Sequence, residues 1–491
     1  MLRRLLLSLC VCASAVCALA DVPKYEMRAV WLTTNWGLDW PSFPARSAED
    51  AVRQQAELSQ LLDEVVSLGF NTVFFQARIR GEVFYASSIE PWSSVVSGRA
   101  GQSPGYDPLA FAVGECHRRG MECHAWLVSI PTGSLKQVQR QGKRSVVSQH
   151  PELCKKLKGN WYLDPGHPGT AVYLASLARE IATRYEVDGI HLDYIRYPDE
   201  EGRFPDNDTY ARYAPRGVSL REWRFENISR IVNAVHCAVK EVNDGIMVST
   251  APLGRYASLP GYKTAHWSCM GGVSQDAVAW LRQGDNDFVV PMMYYAGENY
   301  HPYLVDWVKR TENMGYVVAG LGAYRLEKNE GDWPLREIEE QIKASRVYGA
   351  GGQAFFRLRQ LLRFPALAHL LAGDYYRYPA LLPPIGKVPS EGLPVASDVT
   401  LHNGILSDTL RWQSVEGAVR YAVYASVADT VDTENPICLV YPWVTDTCAV
   451  FPAQTYRCFA VRAIDRYRRE GEAAFYCRPV IKFRYSDWIK R

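Results

Sequence analysis

Between residues 25 and 375, apolar runs of strand length alternate with patterns of helical period. The runs predict eight strands, at residues 27–32, 71–76, 121–127, 188–193, 246–250, 287–293, 316–321 and 352–356. Helical spacing is clearest at residues 48–68, 108–119, 170–185 and 220–242. Strands that are apolar on both faces are typical of parallel sheets covered by helices. The sequence therefore predicts an α/β fold that closes as a (β/α)8 TIM-type barrel. A doubly wound open sheet is the competing fold, but no glycine-rich phosphate turn follows the first strand.

The pattern changes after residue 375. Residues 376–396 are rich in proline and glycine, a composition typical of a linker. Residues 397–485 then alternate apolar and polar positions, as at 409–412, 420–424 and 456–463, which predicts a small all-β sandwich. The early Trp412, the strand around Tyr421 and the late strand around Phe459 resemble a fibronectin type III module.

The first twenty residues have the features of a secretory signal peptide. Arg3 and Arg4 precede an apolar run from residue 5 to 16, and Ala18 and Ala20 are small residues at a cleavage site. We therefore expect an exported protein, periplasmic or associated with the cell envelope. A lipid anchor on Cys17 is the alternative. No later stretch reaches about 18 uninterrupted apolar residues, so no transmembrane segment is expected.

Net charge gives no reason to expect nucleic acid as a partner. The chain has 55 Lys and Arg against 53 Asp and Glu, and the first twenty residues hold two of the arginines and no acid. The remaining surface is neutral, which fits a largely uncharged polymer such as a glycan better than a polyanion. The spacing of the Cys-His pairs at residues 116–117 and 123–124 fits no zinc pattern, and no cofactor motif is present, so neither metal nor cofactor is expected.

Candidate site residues follow the predicted strands. In a barrel, the carboxyl ends of the strands converge on one face, and that face carries the active site. Aromatic rings there stack on sugar rings, while charged and amide groups hydrogen-bond sugar hydroxyls. The predicted substrate-binding residues are Trp31, Trp36, Gln76, Arg78, Glu82, His124, Trp126, Asp164, His191, Tyr194, Arg196, Tyr197, Tyr294, Tyr295, Tyr324 and Arg357. For His124 and Trp126, packing within the barrel is the alternative, and Asp164 is equally suited to shaping a turn.

Asp193 is the first candidate for catalysis. In the strand at 188–193, alternation places His191 and Asp193 on the face opposite Ile190 and Leu192, pointing into the barrel. A poorly solvated carboxylate there suits attack on an anomeric carbon or stabilisation of oxocarbenium charge. The alternative is a buried aspartate that only anchors neighbouring side chains.

Glycosidic cleavage normally requires a second carboxyl group. We predict Glu298, which follows the sixth strand after a loop glycine, as the acid/base. Glu82, Asp164 and Asp199 are the rival candidates. The sequence does not distinguish a retaining from an inverting mechanism, and it gives no oligomeric state.

Several motifs together resemble one known family. They lie at residues 28–33, 91–93, 104–109, 119–126, 163–168, 188–198 and 290–295. In order and spacing they are similar to the family 10 glycosyl-hydrolase-like proteins, over about residues 25–370. At Arg80, many relatives have an acidic or small residue, and Glu82 occupies a position often taken by aspartate.

The resemblance implies a barrel, an extracytoplasmic location and a catalytic role for Asp193. Members of the family include a division-site enzyme that cleaves peptidoglycan glycan strands stripped of their peptides. We therefore expect a glycosidase that hydrolyses a polysaccharide, most simply the glycan strands of peptidoglycan. The alternative is a non-catalytic envelope protein that binds glycan in the same cleft.

Overall fold

The computed structural model describes residues 22–199, 201–262, 267–386 and 392–479. The predicted signal peptide at residues 1–20 lies outside the described residues. Within the described residues, no helix is both long and apolar enough to cross a membrane. The chain divides into two compact units, a larger one at residues 25–377 and a smaller one formed by residues 22–24 with the described residues from 378 onward.

The larger unit is a closed barrel of eight parallel strands, as predicted. Each strand pairs with the next along the chain, and β8 returns to pair with β1. The strands are β1 Met27–Leu32, β2 Thr72–Ile79, β3 Glu122–Val128, β4 Gly189–Asp193, β5 Met247–Thr250, β6 Phe288–Val289, β7 Tyr316–Leu321 and β8 Gly352–Phe355. Nearly every strand residue is buried, which explains the continuous apolar runs in the sequence.

Eight helices follow the eight strands. They are α1 Ala48–Ser67, α2 Pro108–Arg118, α3 Pro168–Arg184, α4 Leu220–Lys240, α5 Ala277–Gln283, α6 His301–Thr311, α7 Leu335–Val347 and α8 Leu358–Arg363. Side chains fix several starts: Ser47 caps α1, Asp107 caps α2, and Ser219 forms a capping box with Glu222 at α4. Gly69, at φ 84°, follows α1 where an added Cβ would lie 2.6 Å from the carbonyl oxygen of Tyr376.

The sixth strand is shorter than the sequence predicts. The apolar run at 287–293 forms regular pairing only at Phe288 and Val289, and Met292 then makes isolated bridges to Leu253 and Gly320. Pro291 interrupts the run, and proline has no backbone N–H to donate to a neighbouring strand. The segment after β6 is therefore irregular where it reaches the mouth of the barrel.

A three-stranded antiparallel sheet lies between β3 and α3. Its strands are Pro131–Ser134, Cys154–Leu157 and Asn160–Leu163, with Asn160–Leu163 in the centre. We call these three strands the insertion sheet. The pattern of apolar and polar positions does not predict this sheet. Because it follows the carboxyl end of β3, it stands on the same face as the candidate site.

The smaller unit is built from antiparallel sheets, which confirms the predicted all-β fold. One sheet has the order β9-β10-β13 and the other has the order β12-β11-β14-β15. These strands are β9 Thr400–Asn403, β10 Ser407–Arg411, β11 Arg420–Ser426, β12 Leu439–Val444, β13 Cys448–Pro452, β14 Cys458–Ile464 and β15 Glu470–Cys477. Leu410, Trp412, Val423 and Phe459 form part of its core. The fibronectin type III likeness stays a prediction.

Part of the predicted linker packs into this smaller unit. Ala380, Leu381 and Leu382 are buried, and Leu381 contacts the cluster that contains Tyr424. The backbone N–H of Leu381 donates to the carbonyl of Lys24. The proline-rich composition therefore accompanies an extended segment that contributes apolar side chains to a core.

Candidate active site

A cleft of about 460 Å³ opens at the carboxyl ends of the barrel strands. Its floor and walls combine residues from β1, β2, β3 and β4 with the segments that follow β5, β6 and β8. The lining residues are Trp31, Thr33, Asn35, Gln76, Ile79, Arg80, Trp126, Val128, Ile130, Pro131, Gly133, Gln137, Asn160, Trp161, Tyr162, Asp193, Tyr194, Arg196, Tyr197, Pro198, Asp199, Ala251, Met292, Tyr294 and Phe356. Aromatic rings and a small number of charged groups thus share one concave surface, as in sites that bind sugars.

Asp193 is the last residue of β4 and lies in this cleft. Its side chain is almost fully buried, and each carboxylate oxygen accepts one hydrogen bond. Oδ2 accepts from Trp126 Nε1 at 3.1 Å, and Oδ1 accepts from the backbone N–H of Tyr194 at 2.7 Å. Both bonds fix the orientation of the carboxylate at the end of the strand.

The environment of Asp193 shifts its pKa upward from the ordinary value of an aspartate. Burial raises the pKa of Asp193, while the Arg196 guanidinium and the donors on Tyr194 and Trp126 oppose that rise. A raised pKa on a carboxyl group in a cleft is a common property of catalytic residues.

Arg196 lies close to Asp193, and it pairs with Asp199, which lines the same cleft. Arg196 is buried, its guanidinium lies 4.2 Å from the centre of the Tyr194 ring, and its Nη2 is 3.7 Å from Asp199 Oδ1. Asp199 also accepts from Trp267 Nε1 at 3.4 Å. Nε and Nη1 of Arg196 have no hydrogen-bond partner among the described residues. Tyr194, which follows Asp193 directly in the chain, adopts a positive φ of 48°. Such backbone strain is often found at functional sites.

The insertion sheet supplies one wall of the cleft. Asn160, Trp161 and Tyr162 come from its central strand, and the indole Nε1 of Trp161 is buried without a hydrogen-bond partner among the described residues. Gln137 lies in the first turn of the helix Leu135–Gln141, which follows the first strand of the sheet, and its side chain completes a capping box with Ser134. These residues were missed because the segment at 129–163 has no barrel-type periodicity, and only its aromatic residues hinted at a binding surface.

Aromatic side chains from later strands form another part of the cleft lining. The Tyr294 and Phe356 rings stack with centroids 5.7 Å apart, and Phe356 also contacts Trp31 and Trp126 edge-on. Tyr324, which was predicted to bind substrate, packs edge-on against both Tyr294 and Phe356 outside the lining. The cleft therefore has a rigid aromatic floor next to the carboxylate.

His191 lies one layer deeper than Asp193, inside the barrel. It is fully buried and stacks on Phe74 with ring centroids 4.2 Å apart. Trp31 Nε1 lies 3.1 Å from His191 Nε2 and can only donate, so Nε2 accepts and the proton is on Nδ1, which donates to Ser249 Oγ at 2.9 Å. Burial, with a smaller effect of His124, lowers the pKa of His191 well below its ordinary value, so the ring is neutral.

Several other predicted site residues are engaged by neighbours outside the cleft lining. Arg78 is fully buried and forms a two-pronged ion pair with Glu90, at 2.6 and 2.8 Å. His124 is buried beside Glu122 at 3.0 Å, and Arg357 pairs with Asp39 at 2.6 Å.

The remaining predicted residues also lie off the cleft lining. Asp164 is buried, its Oδ1 accepts from Gly166 N at 2.9 Å, and burial raises its pKa to about 6. Glu82 accepts from Ser93 Oγ at 2.9 Å, and Tyr295 lies under the guanidinium of Arg255. Trp36 is exposed at the rim and stacks on Arg80.

Glu298, the predicted acid/base, lies on a short 3-10 helix at Gly297–Asn299. It is exposed to solvent and is not among the residues that line the cleft. Of the described carboxylates, Asp193 and Asp199 line it. The structure therefore brings together Trp31, Gln76, Trp126, Asp193, Tyr194, Arg196, Tyr197 and Tyr294 from the predicted set. Among the described residues, no group of three or more His, Cys, Asp or Glu side chains is arranged to hold a metal ion.

Sequence similarity to known proteins extends over most of the barrel. The family described as "Glycosyl hydrolase-like 10" matches residues 26–333. "Glycosyl hydrolase DigH" of Escherichia coli K12 is 32% identical over 351 residues, which cover 64% of this chain and 79% of DigH. "Glycosyl hydrolase YngK" of Bacillus subtilis is 28% identical over 379 residues, with 73% of each chain covered.

Among solved structures, the fold is similar to the PgaB (BpsB) glycoside hydrolase domain of Bordetella bronchiseptica. The TM-score is 0.52 at 16% identity, over 71% of this chain and 99% of that domain. At this identity the likeness concerns the fold alone. The match to the family over most of the barrel and the identity to DigH establish the affiliation: the chain belongs to the glycosyl hydrolase-like 10 family and is a glycosidase.

Proposed function

We propose that the protein hydrolyses the glycan strands of peptidoglycan, with Asp193 as the carboxyl group at the scissile bond. The observation that carries this proposal is the position of Asp193, buried and oriented by Trp126 and Tyr194 in a cleft lined by aromatic rings. Polymer chains of alternating amino sugars offer the apolar ring faces and the polar substituents that such a cleft accommodates.

In this proposal Asp193 acts in its ionised form. A carboxylate directed at the anomeric carbon either attacks it or stabilises the oxocarbenium charge that develops there. Two N–H donors hold its oxygens, so little reorganisation is needed when the charge develops. Tyr294 and Phe356 line the same cleft as Asp193 and offer stacked aromatic rings to the apolar faces of a sugar.

We propose Asp199, rather than Glu298, as the second carboxyl group. Asp199 lines the same cleft as Asp193, it is about 60% exposed, and Arg196 lies close to both carboxylates. An acid/base must exchange protons with water between turnovers, and an exposed carboxyl that lines the cleft meets that need. Glu298 is held in the exposed turn before α6, away from the lining residues.

The location in the cell envelope belongs to the same proposal. It rests on the signal-peptide features of residues 1–20 and on the name of a relative, glycosyl hydrolase DigH, in a bacterium with peptidoglycan. A protein that never leaves the cytoplasm would not meet the polymer. Fractionation of cells that express the full chain tests this point, and recovery of the chain in the cytoplasm with residues 1–20 intact would contradict it.

The substrate is tested by incubating purified protein with three polymers: intact peptidoglycan, peptidoglycan stripped of its peptides by an amidase, and chitin. Reducing ends and product masses are measured, and Asp193→Asn serves as the control for contaminating activity. We expect soluble products from at least one peptidoglycan form and none with Asp193→Asn. Release from chitin alone would overturn the assignment to peptidoglycan. Sedimentation with polymer but no release from any of them would favour glycan binding without catalysis.

A further inference from the structure

Arg80 occupies a turn position whose backbone conformation is unfavourable for arginine. The strand β2 pairs with the short strand Glu82–Val83, so that Arg80 and Gly81 are the two central residues of a hairpin turn. Both have positive φ, 56° and 68°, the requirement of a turn that favours Asn-Gly. Arginine in the left-handed region is strained relative to asparagine or glycine. The turn therefore does not explain this residue.

The side chain of Arg80 is held above Trp36. Its guanidinium carbon lies 4.4 Å from the centre of the Trp36 ring, and Arg80 itself lines the cleft. In such a stack the ring contacts the flat face of the guanidinium, while the N–H groups at its edge stay available as donors. Among the described residues, no side-chain N–H of Arg80 donates a hydrogen bond, so the guanidinium is held in the cleft with its donors available to a ligand.

No acidic side chain of the described residues neutralises Arg80 by direct contact. None of the ion pairs within 4.0 Å among those residues includes it. Glu82 is the strongest opposing charge, but its Oε2 accepts from Ser93 Oγ at 2.9 Å and from Ser94 N at 3.4 Å. Arg80 is also about half-buried, and burial lowers its pKa. A partly desolvated cation with free donors binds an anion more readily than a fully hydrated one does.

The first strand of the insertion sheet and the helix Leu135–Gln141 that follows it pack against Arg80. Gln141 Nε2 donates to the carbonyl oxygen of Arg80 at 2.9 Å. A Cβ at Gly133 would lie 3.4 Å from Arg80 Cβ, so the two segments pack closely. Because Gly133, Gln137 and Asn160 of this region line the same cleft, a ligand that reaches Arg80 also contacts the insertion sheet.

We propose that Arg80 binds a carboxylate carried by the substrate, so that the cleft selects a glycan with acidic sugars over a neutral one. This inference rests on the proposed function and deepens it. The flat fork of a guanidinium matches the two oxygens of a carboxylate. A muramic acid residue presents such a carboxylate on its lactyl ether wherever no peptide is attached. Where a peptide is attached, the same carbon is an uncharged amide, and Arg80 loses its partner.

The test measures binding to two matched polymers, with the full chain carrying Asp193→Asn so that neither is cleaved. One polymer is peptide-free peptidoglycan glycan with free carboxylates, and the other is the same preparation with its carboxylates converted to methylamides. We expect about tenfold tighter binding to the carboxylate form, as one charge-assisted interaction supplies. Adding Arg80→Asn should abolish that preference, because it should weaken binding to the carboxylate form far more than binding to the amidated form.

Three further variants separate the proposed role from folding defects and from general charge. Arg80→Asn suits the turn, so it should fold at least as well as the parent. Arg80→Lys keeps the charge without the fork and should retain only part of the preference. Arg140→Gln removes an exposed charge near Arg80 that does not line the cleft, and it should retain the full preference.

Equal affinity of the parent for the two polymers, or an undiminished preference in the Arg80→Asn protein, would overturn the inference. If wild-type protein still released reducing ends in that case, the proposed function would stand without Arg80. If wild-type protein cleaved neither polymer and the parent bound neither, both proposals would fall together.

Discussion

Two layers of side chains inside the barrel differ in what they contribute. Asp193, the last residue of β4, and Trp126, near the end of β3, face the cleft, whereas His191 and His124 lie two residues earlier on the same strands. All four are buried. The lower pair is packed by aromatic rings and has its hydrogen bonds within the barrel, while the upper pair borders the space that a ligand would occupy. An inward-facing polar residue is thus a structural or a functional residue according to its depth.

Two substitutions, Asp193→Asn and His191→Ala, test most directly whether the upper layer serves catalysis and the lower layer serves stability. Loss of the carboxylate should lower kcat by about 10³ or more and leave the melting temperature within a few degrees. Loss of the imidazole leaves Trp31 Nε1 without its acceptor and opens a cavity, which should cost about 2–4 kcal/mol of unfolding free energy. Activity per folded molecule should then change by no more than about fivefold. Equal catalytic losses in both variants would remove the distinction between the layers.

Comparing Asp199→Asn with Glu298→Gln tests which of the two carboxyl groups is the acid/base. If Asp199 is the acid/base, its removal should lower kcat by about 10²-fold or more. An activated leaving group needs little protonation, so an aryl glycoside should be cleaved with a much smaller loss. Glu298→Gln, outside the cleft lining, should stay close to wild type. The reverse order of effects would restore the sequence-based prediction for Glu298.

Trp126→Phe tests how the upper layer tunes Asp193. The substitution keeps an aromatic ring and removes the N–H that donates to Asp193 Oδ2. That bond favours the charged form, so its loss should raise the pKa of Asp193 further. The acid limb of the kcat/KM profile should move up by about one pH unit, with about a tenfold loss at mildly acidic pH. An unchanged acid limb would mean that Asp193 is not the group whose ionisation governs activity.

The smallest effect is expected at Asp164, buried outside the cleft. Its pKa of about 6 exceeds the ordinary value of about 3.9 in an unfolded chain. The folded state therefore holds the proton more tightly, and the stability gained is complete below about pH 4 and lost as the pH rises through about 6. Asp164→Asn should match wild type at pH 4 and melt about 2 °C higher at pH 7.5. Wild type that is more stable than the variant at pH 7.5 would show that the Asp164 carboxylate is needed in its charged form.

The barrel was predictable because its strands are buried on both faces and its helices have regular period and caps. The bounds of β1 and β7 follow directly from the apolar runs at 27–32 and 316–321. Alternation along β4 also predicted that Asp193 points inward. Alternation shows that a side chain points inward, but it does not show how deep in the barrel the residue lies. For this reason the sequence did not distinguish the interior residues His124 and His191 from the cleft residues Trp126 and Asp193.

The conformations of the loops could not be predicted from the sequence either. The insertion sheet brings Trp161 and Tyr162 to the cleft from a segment with no barrel periodicity. Glu298 was chosen because it follows a strand, but the direction of the turn at Gly297–Asn299 decides where its side chain lies. Local patterns fix elements, whereas contacts between loops fix which side chains meet.

The most direct test of the central claim is a crystal structure of Asp193→Asn with a tetrasaccharide from peptide-free peptidoglycan glycan. We expect a glycosidic bond above residue 193, with the anomeric carbon about 3–3.5 Å from the side-chain oxygen or nitrogen of Asn. Sugar rings should contact Tyr294, Phe356 and Trp161 on either side. A tetrasaccharide bound elsewhere on the protein, or in the cleft with residue 193 out of reach of every glycosidic bond, would contradict it.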